Sequence, residues 1–233
     1  MLQDTNYDTF AEAYSAENET SLLNAFYERP AVLKLAGDVS NHRILDAGCG
    51  SGPLAQALTE RGARVSGFDA SEEMINLARK RLGDQTDLRV ADLSQSLPYA
   101  DDSFDDVVAS LVFHYLEDWV GPLEEIRRVL QPGGRLIMSV NHPILYPWSN
   151  PGTDYFKPTR YSDEHVFNGQ PGTLTYWHRP LHAMTDAFSK AGFQIETISE
   201  PPYSSDAPAE IVPPQFKDRT SFLSFIFFAL RAV

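Results

Sequence analysis

Between Arg43 and Val140 the chain alternates short β-rich runs with amphipathic helical patterns, and that alternation leaves few folds open. Strands are expected at Arg43 to Ala47, Arg64 to Asp69, Leu88 to Ala91, Asp105 to Val112 and Arg135 to Val140. A helix starts at Pro53, which suits a first turn where its missing N–H would be unpaired anyway. The next starts after Ser71, a good N-cap, with Glu72 and Glu73 at its positive end and Met74, Leu77, Ala78 and Leu82 as the apolar stripe. A third runs from Trp119 to Leu130 and is stopped by Pro132-Gly133-Gly134. Strands separated by helices of this length imply βαβ crossovers and a parallel sheet covered on both faces, so the fold is expected to be doubly wound α/β. A later helix, Leu181 to Ala191, and two further strands, Phe193 to Ser199 and Ser221 to Leu230, would bring a mostly parallel sheet to seven strands.

The pattern changes after Val140. Residues 141–180 carry eight aromatics, against six in the whole of 41–140, and 11 of the 16 prolines lie between Pro143 and Pro214. Aromatics bury well and linkers lack them, so this stretch reads as an irregular, aromatic-rich cap rather than a linker. One domain is expected: an N-terminal helical segment over 1–40, a core over 41–140, the cap over 141–180, and a closing helix and strands over 181–233. The net charge of −13 opposes a nucleic-acid backbone or an anionic membrane surface as partner. A single cysteine, Cys49, excludes a disulfide scaffold or a Cys-rich zinc site, and no metal is expected. With no signal-peptide pattern at the start and no apolar run near 20 residues, a cytoplasmic monomer or homodimer is the expectation.

The chemistry concentrates where the first strand runs into Gly48-Cys49-Gly50-Ser51-Gly52. Glycines there let a ligand approach the backbone and the following helix N-terminus. Asp69, about 20 positions after the turn, stands where a ribose hydroxyl is bound, so the site should hold a nucleoside. A dinucleotide fingerprint would need a third glycine where Pro53 stands, and no Gly-Lys-Ser/Thr follows for a phosphate loop. Asp46, just before the turn, suits a positively charged ligand better than a pyrophosphate.

Five segments in order resemble the class I S-adenosylmethionine-dependent methyltransferases of the small-molecule type. They are Ile44 to Gly52; Gly67-Phe68-Asp69-Ala70-Ser71; Ala91-Asp92-Leu93; Leu97-Pro98-Tyr99 with Ser103-Phe104-Asp105 and Phe113-His114-Tyr115; and Leu130 to Gly134. The resemblance implies a Rossmann-like fold with S-adenosylmethionine as cofactor and S-adenosylhomocysteine as product. Gly48 and Gly50, beside Ala47, would admit the methionine part, with Asp46 near its amino group and Ser110 offering backbone contact. Asp69 would bind the ribose, Asp92 and Leu93 the adenine, and Ala70 and Met74 its other face. Tyr7 and Tyr14 match a lid over the site.

The reaction implied is direct displacement of the sulfonium methyl by an oxygen, nitrogen or carbon atom of a small acceptor, with positioning and exclusion of water as the protein's main task. His114, His142 and Tyr146 are the candidate bases, because histidine suits proton removal near neutral pH. Tyr7, His142, Tyr146, Trp148, Trp177 and His178 are the candidate acceptor contacts. The cap's charges balance, which favours a neutral or amphipathic acceptor. A nicotinamide-dependent oxidoreductase and a non-catalytic nucleoside-binding protein are the alternatives.

Overall fold

A computed structural model describes residues 5–217, 219 and 221–233; the first four residues of the expected N-terminal segment, and positions 218 and 220 of the closing one, lie outside it. Five parallel strands, β1 (Arg43–Ala47), β2 (Arg64–Asp69), β3 (Leu88–Val90), β4 (Phe104–Ser110) and β5 (Leu130–Asn141), are joined by β8 (Phe193–Ser199) and β9 (Phe225–Ala232). Their order across the sheet is β3-β2-β1-β4-β5-β9-β8. Only β9 runs antiparallel to its neighbours, β5 and β8. The seven-stranded, mostly parallel sheet is the one expected, with the order reversing beside β1 and β4.

The strands are buried on both sides, and successive side chains sort between two cores. Leu45, Val107, Ala109, Leu136, Met138 and Phe228 meet helices α5 (Val120–Val129) and α7 (Leu181–Lys190) through Leu123, Ile126, Met184 and Phe188. Ile44, Val108, Ile137, Phe225 and Phe227 meet α2 (Arg29–Ala36) and α3 (Pro53–Glu60) through Val32, Leu33, Leu54 and Leu58. α4 (Glu72–Leu82) follows β2 and is capped as expected, with Ser71 Oγ accepting from Met74 N at 3.1 Å. Pro132-Gly133-Gly134 lies in a bulge of β5, where the register against β4 shifts between Phe104 and Asp106.

Residues 141–180 are not irregular. They form a short helix, α6 (Leu145–Ser149), and a separate antiparallel hairpin of β6 (Thr159–Phe167) and β7 (Gln170–His178). The turn is Asn168-Gly169, both with positive φ (45° and 85°), the two-residue connection whose twist matches paired strands. Aromatic and apolar residues at alternate positions, Tyr161 and Phe167 on β6 with Leu174 and Tyr176 on β7, face one side and pack on the N-terminal segment. There Phe10, just before α1 (Ala11–Asn18), stacks on Phe167 at 5.3 Å. Asn168 N donates to Glu17 Oε2 at 3.0 Å and Gln170 Nε2 to Thr9 O at 2.6 Å. Cross-strand pairing and this apolar seam outweigh the prolines, which sit at the hairpin's margin or outside it. The last strand also starts later than expected, at Phe225. No helix among the described residues is long and apolar enough to cross a membrane.

Candidate functional site

A cavity of about 340 Å³ opens at the carboxyl ends of β1, β2 and β4, where ligands sit in open α/β sheets. Gly48 has φ of +72°, and a Cβ there would come within 2.7 Å of Val112 Cγ2, so only glycine fits. The turn is pinned from β2. Gly50 N donates to Asp69 Oδ2 at 2.9 Å and Ser71 N to Asp69 Oδ1 at 2.9 Å. Gly48 N and Cys49 N both reach Phe68 O at 2.9 Å.

Asp46, the last residue but one of β1, lies in the wall of this cavity. It is 1% exposed, and neither carboxylate oxygen has a hydrogen-bond partner of sound geometry. Burial, with the carboxylates of Glu28 and Asp69 nearby, pushes its pKa up to about 8. Glu28, 4% exposed, also lines the cavity. Its Oε1 accepts from Ser139 Oγ at 2.6 Å and from Ser110 Oγ at 2.7 Å, while burial raises its pKa. Asp69 is likewise raised, mainly by burial and against the pull of its backbone donors. A buried, orphaned carboxylate beside a glycine cradle fits the ammonium group of an amino-acid cofactor, since a buried charge costs free energy until it is paired. At the other end Ala70, Met74, Asp92 and Leu93 line the wall, an apolar slot with one carboxylate that fits a purine and its amino group.

Ten of the eleven residues assigned to the cofactor from sequence line this cavity: Tyr14, Asp46, Gly48, Gly50, Asp69, Ala70, Met74, Asp92, Leu93 and Ser110. Ala47 does not; it is fully buried in the core behind the turn. Glu28 was not legible as a site residue. The available signal was a glutamate four positions before Val32, on the buried face of α2 and the turn of π-helix, Asn24–Glu28, that leads into it.

A second cavity of about 320 Å³ adjoins the first, and Tyr14, Asn24, Leu111 and Tyr115 line both. Leu111 holds φ of +53°, a costly conformation for a branched side chain. It is fastened by its N–H to Ser139 O at 3.1 Å and Ser139 Oγ at 3.0 Å. The remaining wall comes from the N-terminal segment through Glu17, Ser21 and Leu23, from the segment after β5, from α6, from the start of β9 and from the hairpin, including Tyr146, Tyr161 and Tyr176. Burial lifts the Tyr161 phenol to about 12 and pushes those of Tyr115 and Tyr176 higher, so all three stay un-ionised at neutral pH.

His114 and Tyr146 stand in this second wall. Tyr7 lines only the first cavity, and its hydroxyl meets that of Tyr115 at 2.6 Å. His142, Trp148, Trp177 and His178 line neither. His142 has both ring nitrogens engaged: Nδ1 accepts from Ile144 N at 3.2 Å and Nε2 pairs with Glu200 Oε1 at 2.7 Å. Trp148 is 79% exposed, because α6 turns it outward. Trp177 is half-buried on β7, adjacent in sequence to the cavity-facing Tyr176, and strand alternation sends neighbours to opposite faces. His178 is buried, with Nε2 on Tyr155 O at 2.8 Å, and its ring stacks on Tyr146 at 5.4 Å, supporting that tyrosine from behind.

Comparison with known proteins agrees with this geometry. Residues 45–138 match a family model described as a methyltransferase domain. A demethylmenaquinone methyltransferase of Clavibacter sepedonicus is 31% identical, over 77% of this chain and 75% of its own. A ubiquinone/menaquinone biosynthesis C-methyltransferase of Desulfotalea psychrophila is 30% identical, over 80% of each. The crystal structure of an S-adenosylmethionine dependent methyltransferase from Mesorhizobium loti superposes with a TM-score of 0.67 at 27% identity, covering 87% of this chain and 96% of that one.

Proposed function

The chain belongs to the class I S-adenosylmethionine-dependent methyltransferases, and from that premise we propose that it methylates a compact acceptor with an aromatic body held in the second cavity. S-adenosylmethionine is the cofactor, and when bound it supplies an already activated methyl group on a sulfonium. The protein's own contribution is then positioning and exclusion of water. Asp46, Gly48 and Gly50 hold the amino-acid end, Asp69 the ribose, and Asp92, Leu93 and Met74 the base. Tyr14, Asn24, Leu111 and Tyr115 mark where the two ligands meet.

The observation that supports the acceptor class is the second cavity itself. Its volume lies near the lower end of the range of about 300–1,000 Å³ for small-molecule sites, and its walls carry five tyrosines, two phenylalanines and four leucines among polar residues that include Glu17, Asp163, His114 and His165. Stacked and edge-on ring contacts favour a planar partner. The relatives' names, one of them specifying a C-methyltransferase, support carbon as one attacking atom, beside a hydroxyl oxygen or an amine nitrogen. The nicotinamide alternative falls with the family assignment.

The test is transfer of radiolabelled methyl from S-adenosylmethionine to a panel of hydroxylated mono- and bicyclic aromatics, with aliphatic amines and acids as controls. Transfer confined to aromatic acceptors, and weakened in Tyr146→Ala with cofactor binding intact, is the expected outcome. Transfer only to aliphatic acceptors overturns the reading.

A further inference from the structure

His114 is the central residue of the short 3-10 turn Phe113–Tyr115 after β4, is 4% exposed, and lines the second cavity. Its Nδ1 lies 3.1 Å from the backbone nitrogen of Asn141, at the end of β5. That nitrogen can only donate, so Nδ1 must be the bare, accepting nitrogen of the ring. A neutral imidazole with a bare Nδ1 carries its proton on Nε2. Its surroundings among the described residues disfavour a second proton. Burial lowers its pKa to about 3, and the rings packed on it are the neutral phenols Tyr115, at 4.6 Å, and Tyr176, at 5.1 Å, both edge-on. No described residue hydrogen-bonds Nε2.

We infer that His114 is a fixed hydrogen-bond donor that selects acceptors carrying an oxygen with free lone pairs, and that it does not act as the base. The inference rests on the proposed use of the second cavity for the acceptor. A histidine whose Nδ1 is held by a backbone donor and whose Nε2 already bears the proton cannot remove one from the acceptor. It can bind a carbonyl, enolate or phenolate oxygen and so place the atom beside that oxygen toward the neighbouring cavity. To serve as a base His114 would need the opposite tautomer, which would set Nδ1–H against the Asn141 N–H and leave two buried donors facing each other. The acceptor is therefore one that reaches the site already deprotonated or enolised, or that loses its proton to water or to another group after transfer.

Two measurements test this. In the wild-type protein saturated with S-adenosylhomocysteine, ¹⁵N spectra of labelled histidine should show His114 Nδ1 bare and Nε2 protonated. Calorimetric titration with 1-tetralone, whose carbonyl only accepts, and with tetralin, its oxygen-free counterpart, should show the ketone binding about three- to tenfold tighter, the size of one neutral hydrogen bond. His114→Phe should erase that preference while still binding tetralin, and His114→Gln, whose amide can donate from a similar place, should keep part of it. A proton on Nδ1, or a preference undiminished in His114→Phe, overturns the donor role while leaving the acceptor cavity in place. If neither compound binds the wild-type protein while S-adenosylhomocysteine does, the assignment of the cavity to the acceptor falls, and the selection role with it. Should His114→Phe fail to fold, the tautomer and the Gln variant still decide.

Discussion

The two cavities share a wall and differ in almost everything else. The first is built on short turns at the ends of parallel strands and gathers three carboxylates, Glu28 and Asp46 buried and Asp69 half-buried. The second is built by a short helix, a hairpin and the N-terminal segment; its buried groups are neutral phenols and an uncharged imidazole, and its two carboxylates, Glu17 and Asp163, are half-buried and exposed. One half stores electrostatic cost that a cationic ligand relieves. The other offers shape, ring faces and a few fixed dipoles. The contrast suits a fixed cofactor on one side and an aromatic acceptor on the other.

Breaking the first half should give the largest effect. Asp69→Ala removes the acceptor for Gly50 N–H and Ser71 N–H together, two charge-assisted bonds worth about 1.5–3 kcal/mol each. S-adenosylhomocysteine affinity should fall on the order of 100-fold or more by calorimetry, with tetralin binding to the second cavity unchanged.

Breaking the second half should look different. Phe167→Ala deletes the ring that Phe10 stacks on, and should lower stability by about 3 kcal/mol in denaturant titration, with acceptor binding lost before cofactor binding.

The charge contrast is sharpened by pH. Asp46 keeps its proton to about 8 in the folded protein and loses it near 4 when unfolded. Between those values the folded state binds more protons, so stability of the ligand-free protein should fall as pH rises through that window. A ligand ammonium prefers the carboxylate, so S-adenosylhomocysteine should bind more tightly as pH rises toward about 8, by up to about tenfold per unit. Asp46→Asn should flatten both slopes; equal slopes in the variant would assign them to Glu28 and Asp69. The smallest effect belongs to Trp148→Ala, where an exposed ring should cost less than about 0.5 kcal/mol and leave transfer unchanged.

The first cavity was largely legible in the sequence and the second was not, for a physical reason. Asp46, Gly48, Gly50, Asp69 and Asp92 are placed by local rules: a strand end, a turn that tolerates only glycine, an acidic residue at the end of the next strand. Ala47 faces the core and not the cavity, because one residue along a strand reverses the face. The Asn168-Gly169 turn was the strongest local signal for the hairpin, and the surrounding aromatics and prolines hid it.

From the sequence alone came the doubly wound sheet, its seven strands, the cofactor and ten of the residues that line the first cavity, since alternating periodicity and turn chemistry act over a few neighbours. Only the tertiary structure brought Glu28 under Ser110 and Ser139, turned Trp148 out to solvent, tied His142 to Glu200, and aimed His114 Nε2 away from the Asn141 N–H. Those contacts join residues 27 to 111 positions apart, and no local pattern records which distant donor or acceptor a buried polar group will find.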